Sequence, residues 1–270
     1  MVEISSKYKI GTRRFGSVNW IGTWTLYKKE VLRFLNVWIQ TIFSPLVSAL
    51  LFLLVLSLAI GTDRGNVLGV PFINFLAPGL VAMQVIQQSF SHSASSFMIG
   101  KIQGNIVDIL YAPLSAGEVT MAITLAAVTR SIMIAFISIF IFHLIIDFEI
   151  KNYFTLIAYT FLSSFILGAL GIVAGLWAEK FDHMATVTNF IIIPLSFLSG
   201  TFYTIDKLPG YLHVISKANP FFYMIDGFRY SFIEQSDGSL AVGLIYLTVL
   251  SFIMWMTAYL LYKKGYKIKS

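Results

Sequence analysis

Long apolar stretches alternate with short charged ones along this chain. Runs free of Asp, Glu, Lys and Arg cover residues 34–62, 65–100, 152–178, 183–205 and 238–262, and 119–146 is broken only by Arg130. Each is longer than the roughly 20 residues an apolar helix needs to cross hydrocarbon. The pattern predicts an all-α membrane protein with six transmembrane helices, at about 37–61, 73–99, 119–146, 153–178, 184–203 and 239–262. An N-terminal amphipathic interfacial helix and short re-entrant helices between spans five and six complete the expected fold. The organisation that follows is an N-terminal segment at 1–36, a transmembrane domain at 37–262 and a basic tail at 263–270.

Three segments outside the spans carry their own patterns. Before the first span, Trp20, Trp24, Tyr27, Val31, Phe34 and Trp38 recur at helical spacing, with Lys28, Lys29 and Arg33 off that face. Such a helix lies in the membrane interface, either as a plain anchor or as a docking element for a soluble partner. Between spans two and three, Ile102, Ile106, Ile109 and Leu110 share a helical face, Gln103 and Asn105 fall elsewhere, and Pro113 ends the helix. That segment either rests on lipid or receives force from a partner. The tract from Pro194 is too apolar for an ordinary loop and too interrupted by charge, Pro and Gly to span. Asn219-Pro220 starts a helix carrying Phe221, Phe222, Met224, Ile225, Phe228 and Phe232, and Pro209-Gly210 supplies a turn before residues 211–216. Two short re-entrant or interfacial helices are expected, capping a pathway or forming an aromatic belt.

Within the spans, Pro45, Pro78 and Pro194 predict kinks or breaks. Gly168, Gly171 and Gly175 form a small-residue face that reads as close packing within one subunit, with dimerisation as the alternative.

Composition and charge sharpen this picture. The chain is 57% hydrophobic and 12% charged, with mean hydropathy +0.79, against roughly 25% charged residues in a soluble domain. Seven Lys and Arg precede the first span and four follow the last, so both termini are expected in the cytoplasm. The net charge of +6 then serves topology and anionic lipid rather than nucleic acid. Cysteine is absent, which removes thiolate chemistry and disulfides. The first 33 residues lack the short apolar core of a cleavable signal. Residues 11–17 approach a P-loop but lack its lysine, so ATP hydrolysis by this chain is not expected. His92, His143, His183 and His213 are scattered without metal-ligand spacing. No carboxylate falls within the predicted spans, which counts against intramembrane catalysis and proton-coupled transport. Arg130, the one permanent charge inside a span, either snorkels or pairs within the bundle, or meets an anionic substrate.

Several of these segments together resemble the permease subunits of bacterial ABC exporters of the ABC-2 type. The resemblance covers nearly the whole chain: Asn74-Phe-Leu-Ala-Pro-Gly-Leu80 opening span two, the 101–113 helix, Arg130, and the tract 194–230 with Ser199-Gly-Thr-Phe-Tyr203, Asn219-Pro220 and Gly227-Phe-Arg229. It implies a homodimer in a bacterial inner membrane, each subunit bound to a separate P-loop ATPase that carries the ATP and Mg, with no cofactor on this chain. It implies that 103–113 is the coupling helix, with Gln103, Asn105, Asp108, Leu110 and Pro113 as coupling residues. The 20–34 helix becomes a connecting helix, with Trp24, Lys28, Glu30 and Arg33. Residues 201–232 become extracellular re-entrant helices, and Arg130, Phe202, Tyr203, Asn219, Pro220 and Arg229 gate or pathway residues. Members export polysaccharides, lipid-linked glycans, hydrophobic drugs or other lipophilic molecules. The alternative is a passive channel or a membrane scaffold with no ATPase partner.

Overall fold

The computed structural model describes residues 18–146 and 149–268. Lys7, Lys9, Arg13, Arg14, Lys269 and the P-loop-like residues 11–17 lie outside them.

Helix α1 (Trp20–Leu35) starts on Asn19, whose side chain accepts the Gly22 N–H at 3.0 Å. Its buried face takes in only part of the aromatic one. Leu26, Glu30 and Phe34 turn inward against the bundle, whereas Trp20 and Trp24 are exposed. A π-helical turn (Ile39–Phe43) leads into α2 (Ser44–Arg64), with Pro45 in the first turn. A second π-turn (Thr188–Ile192) joins α7 (Phe181–Val187) to α8 (Ile193–Leu198), with Pro194 in the first turn. Proline has no N–H to give the carbonyl one turn back, and the wider π-turn re-routes the ladder around that gap. Pro78, by contrast, sits inside the unbroken α3 (Phe72–Ile102).

Between α2 and α3 a two-residue hairpin pairs β1 (Asn66–Val67) with β2 (Val70–Pro71) through Leu68 and Gly69, both at positive φ. Beyond α3, Gly104 at φ +75° turns the chain into α4 (Ile106–Tyr111). Ala112, the residue before Pro113, is extended and ends it. The four apolar residues expected on one face of α4 divide: Ile106 is buried, while Ile102 and Leu110 are exposed. The remaining helices are α5 (Ala116–Ile145), α6 (Tyr153–Trp177), α9 (Gly210–Ala218), α10 (Pro220–Ile233) and α11 (Leu240–Lys263).

Among the described residues five helices are long and apolar enough to cross a membrane: Ile39–Ala59, Ala116–Ile145, Tyr153–Trp177, Phe181–Leu198 and Leu240–Lys263. The fourth ends at Leu198, short of the expected 203, because residues 199–203 turn to meet α10. The expected second span is α3, the longest helix at 31 residues. Glutamines and serines dilute its hydropathy.

Helix α3 is the axis of the bundle, packed against α5 and α6. The glycines of α6 make this possible. A Cβ on Gly171 would lie 2.5 Å from the Phe90 carbonyl, and one on Gly175 would lie 2.8 Å from that of Ala94. Gly168 faces Ala127 of α5 in the same way. The small-residue face is thus spent inside the subunit, where it lets backbones approach closely.

Candidate functional site

A groove of about 790 Å³ runs along α3 between α1, α2 and the α7–α8 segment. Its lining on α3 extends from Leu80 to Ile99, about 29 Å at 1.5 Å per residue, and reaches Gln103 at the helix end. That is close to the roughly 30 Å of a bilayer's hydrocarbon core. The α3 wall is polar: Gln84, Gln87, Gln88, Ser91 and Ser95 recur at three and four residues and all face the groove. Gln40, Thr41, Ser44 and Ser48 face them from the α2 side. At the α10 end the lining changes to Phe52, Leu80, Met83, Phe197 and Phe202, the last two with ring centroids 5.4 Å apart.

Gln84 and Ser95 of the stripe are committed to structure, Ser95 by donating to the His92 carbonyl at 3.0 Å. The Gln84 amide donates to the Pro45 carbonyl at 2.6 Å, and its oxygen accepts from Ser138 at 2.9 Å, tying α3 to α2 and α5. Gln88 accepts from the Arg130 guanidinium. Among the described residues the side chains of Gln40 and Gln87 have no hydrogen-bond partner and are open to whatever occupies the groove.

The α4 end of the groove gathers charge. Arg33 lies half-buried at its wall, donating to Glu30 at 2.9 Å, to the His92 carbonyl at 3.0 Å and to Ser95 at 3.4 Å. Glu30 is 2% exposed and its carboxylate stands 3.8 Å from the His92 ring. This facing pair was invisible in the span pattern, because the carboxylate belongs to the helix before the first span. Neither Glu30 nor His92 lines the groove. Arg130, 6% exposed, comes from α5 and does line it.

Helix α1 connects this cluster to α4. Asn19 donates its amide to the Pro113 carbonyl at 3.0 Å, and its backbone N–H is bonded to the Glu118 carboxylate. Glu118 also closes a capping box with Ser115 at the start of α5. One end of α1 is therefore fixed to the loop after α4, and the other places Arg33 in the groove. Trp24 and Lys28 are exposed on the opposite side of α1. On α4, Asn105, Asp108 and Leu110 are exposed beside Val107 and Tyr111, and Gln103 also lines the groove mouth.

At the α10 end the expected gate residues divide. Phe202 lines the groove, and Tyr203 donates to the Phe197 carbonyl at 3.1 Å. Asn219, Pro220 and Arg229 lie behind it. Asn219 donates to the Leu195 carbonyl at 2.9 Å and to Ser199 at 2.8 Å while capping α10, which Pro220 opens. Arg229 donates to the Gly200 carbonyl at 2.6 Å and stacks 3.9 Å over the Phe75 ring. Gly79 clears the way for this turn, since a Cβ there would lie 2.7 Å from the Thr201 carbonyl. These three residues hold the backbone that presents Phe202.

Arg130 and Phe202 are brought together on one surface with Arg33 and Gln103. The α3 stripe completes that surface, and the sequence pattern had not singled it out. Its signal was nonetheless present, as polar residues at helical period inside a charge-free run.

Comparison with known proteins agrees with this architecture. The model of the family described as ABC-2 type transporter matches residues 22–233. The inner membrane transport permease YadH of Escherichia coli strain K12 is 28% identical over 251 residues, covering 93% of this chain and 98% of that protein. Nodulation protein J of Rhizobium leguminosarum bv. viciae is 25% identical, covering 84% and 86%. Its counterpart in Rhizobium meliloti is 24% identical, covering 78% and 80%. A groove of membrane depth on a multi-pass helical bundle and a family match over most of the chain lead to one conclusion: the chain belongs to the ABC-2 type transporter family and is a membrane transport permease.

Proposed function

We propose that the chain is the permease subunit of an ATP-driven exporter in a bacterial cytoplasmic membrane, with α3, second in chain order, bringing the spans to six and both termini cytoplasmic. A separate P-loop ATPase docks at α4 and supplies the ATP and Mg chemistry. A lipophilic, amphiphilic or glycan-type substrate moves outward along the groove, from the α4 end towards Phe202 and Tyr203. The observation that carries this reading is the groove's span of membrane depth with a polar stripe along its wall. A core helix packed for stability alone would not hold Gln87, Ser91 and Ser95 on an open face.

The coupling route is mechanical. Closure of the ATPase pushes on exposed Asp108, Leu110 and Tyr111. The push passes through Pro113 to Asn19 and along α1 to Arg33 at the groove wall. Helix α2 leaves Val47, Leu51, Leu54, Val55 and Leu58 exposed beside the groove, where a second copy would close the path. Helices α9 and α10 form the re-entrant outer pair.

The test is reconstitution of the chain with candidate P-loop ATPases in proteoliposomes. ATP-dependent efflux is expected with wild type and not with Asp108→Lys or Leu110→Asp at equal expression. Efflux that persists without any ATPase would identify a passive channel instead.

A further inference from the structure

The charges on the groove wall are all of one sign. Arg33 and Arg130 are the charged residues among its lining, and they come from different helices, α1 and α5. The nearest carboxylate, Glu30, is bound to Arg33 and lies outside the lining. Two guanidiniums against one carboxylate leave this end with a charge of at least +1 (2 − 1), whatever the state of His92. Among the described residues Arg130 has no ion pair; its hydrogen-bond partner is the neutral Gln88, and its Nε is buried with no partner at all. A buried cation without a counter-ion is costly, and the cost is offset when an anion binds. Gln40, Gln87 and Ser91 add further donors to the same wall. Towards the α10 end, Phe52, Leu80, Met83, Phe197 and Phe202 offer no polar group to match.

We propose that the groove binds an amphiphile with an oxyanion headgroup: the phosphate lies between Arg130 and Arg33, and the apolar tail points to Phe197 and Phe202. The proposal deepens the export reading and rests on the groove being the substrate path. Guanidinium and phosphate match as a planar fork to two oxygens, a geometry a lysine does not reproduce. The groove's size suits such a molecule, since ligand pockets commonly hold about 300–1,000 Å³.

The test uses the purified full chain without any ATPase, so its failure leaves the coupling and efflux experiments untouched. Binding is followed by thermal stabilisation on titration with dihexanoyl phosphatidic acid, dihexanoylglycerol and inorganic phosphate. Phosphatidic acid is expected to bind at least about tenfold more tightly than either, because a charge-assisted bond adds to tail burial. Arg130→Gln should weaken phosphatidic acid by about tenfold to a hundredfold and leave dihexanoylglycerol unchanged. Arg130→Lys should recover part of the loss. Should Arg130→Gln fail to fold, Gln87→Glu places a repelling carboxylate on the wall without removing any bond, and should abolish phosphatidic acid binding. Lys264→Gln, a cation away from the groove, should change nothing. Equal affinity for dihexanoylglycerol overturns the oxyanion assignment, and equal affinity for inorganic phosphate overturns the amphiphile. Wild-type binding by both Arg130→Gln and Gln87→Glu places the lipid elsewhere and overturns the site.

Discussion

Arg130 and Arg229 are both buried arginines in a membrane protein, yet their surroundings assign them opposite work. Arg229 is enclosed, bonded to the Gly200 and Thr201 carbonyls and stacked on Phe75, with its charge consumed by backbone and ring. Arg130 faces an open groove and holds a single neutral partner. The two ends of the groove differ accordingly. The α10 end is built from backbone fixed by side chains, with Asn219 and Arg229 pinning the 195–201 turn. The α4 end is built from side chains that can exchange partners. Each arginine leaves its Nε without a partner, so buried charge divides instead by what answers it: two carbonyls, a ring and the nearby carboxylates of Asp226 and Asp237 for Arg229, one neutral amide for Arg130.

The largest effect should come from removing the closed arginine. Arg229→Leu strands two buried carbonyls and gives up the ring contact, at about 3 kcal/mol or more. Arg130→Gln should cost less than about 1 kcal/mol, since it gives up one bond to a neutral amide but also removes a buried cation that has no counter-ion. Thermal unfolding of the two variants in one detergent checks this, and equal losses would erase the distinction.

The next effect lies beside Arg229. A Cβ on Gly227 would collide with the Tyr159 ring, whose hydroxyl donates to the Leu240 carbonyl at 2.7 Å. Gly227→Ala should cost about 1–3 kcal/mol through overpacking. Adding Tyr159→Leu should make the double variant less unstable than the two losses summed, measured as a double-mutant cycle.

The α4 end is probed by Asn19→Ala, which loses a helix cap worth about 1 kcal/mol together with the bond to Pro113. Here stability matters less than coupling. ATPase turnover in the reconstituted complex should continue while efflux per ATP falls; a proportional fall in both would mean that α1 carries no signal.

Much of the bundle was legible because membrane depth leaves only helices, and charge-free runs mark them. Asn219-Pro220 announced α10 through cap chemistry that is local. What escaped was long-range. The inward face of α1 is set by Glu30 and Phe34 meeting His92 across to α3, contacts that the spacing of the tryptophans does not reveal. The hydropathy that outlined α3 also hid its groove-facing stripe, since averaging along a helix cancels the difference between faces. The partners of Arg229 also escaped, because they are backbone carbonyls, which no side-chain pattern reveals.

The smallest expected effect concerns Asp237, in the loop after α10. Burial pushes its carboxyl above the usual range, with Asp206 adding repulsion, against the pull of Arg229 and of the Ile205 N–H at 3.3 Å. One of its oxygens is buried without a partner. A raised carboxyl pKa means that the folded state holds its proton to higher pH than the unfolded chain does. Between the two pKa values the folded protein binds more protons, so stability falls as pH rises through that window. Asp237→Asn keeps an acceptor for Ile205 and removes the charge. It should raise the melting temperature slightly at pH 7 and leave it unchanged at pH 3, below both values. Because Arg229 holds part of that charge in place, the gain should grow in an Arg229→Leu background and stay constant in Arg130→Gln. A gain that grew in both would mean that the two arginines share one field, and that the open and closed sites are not electrically separate.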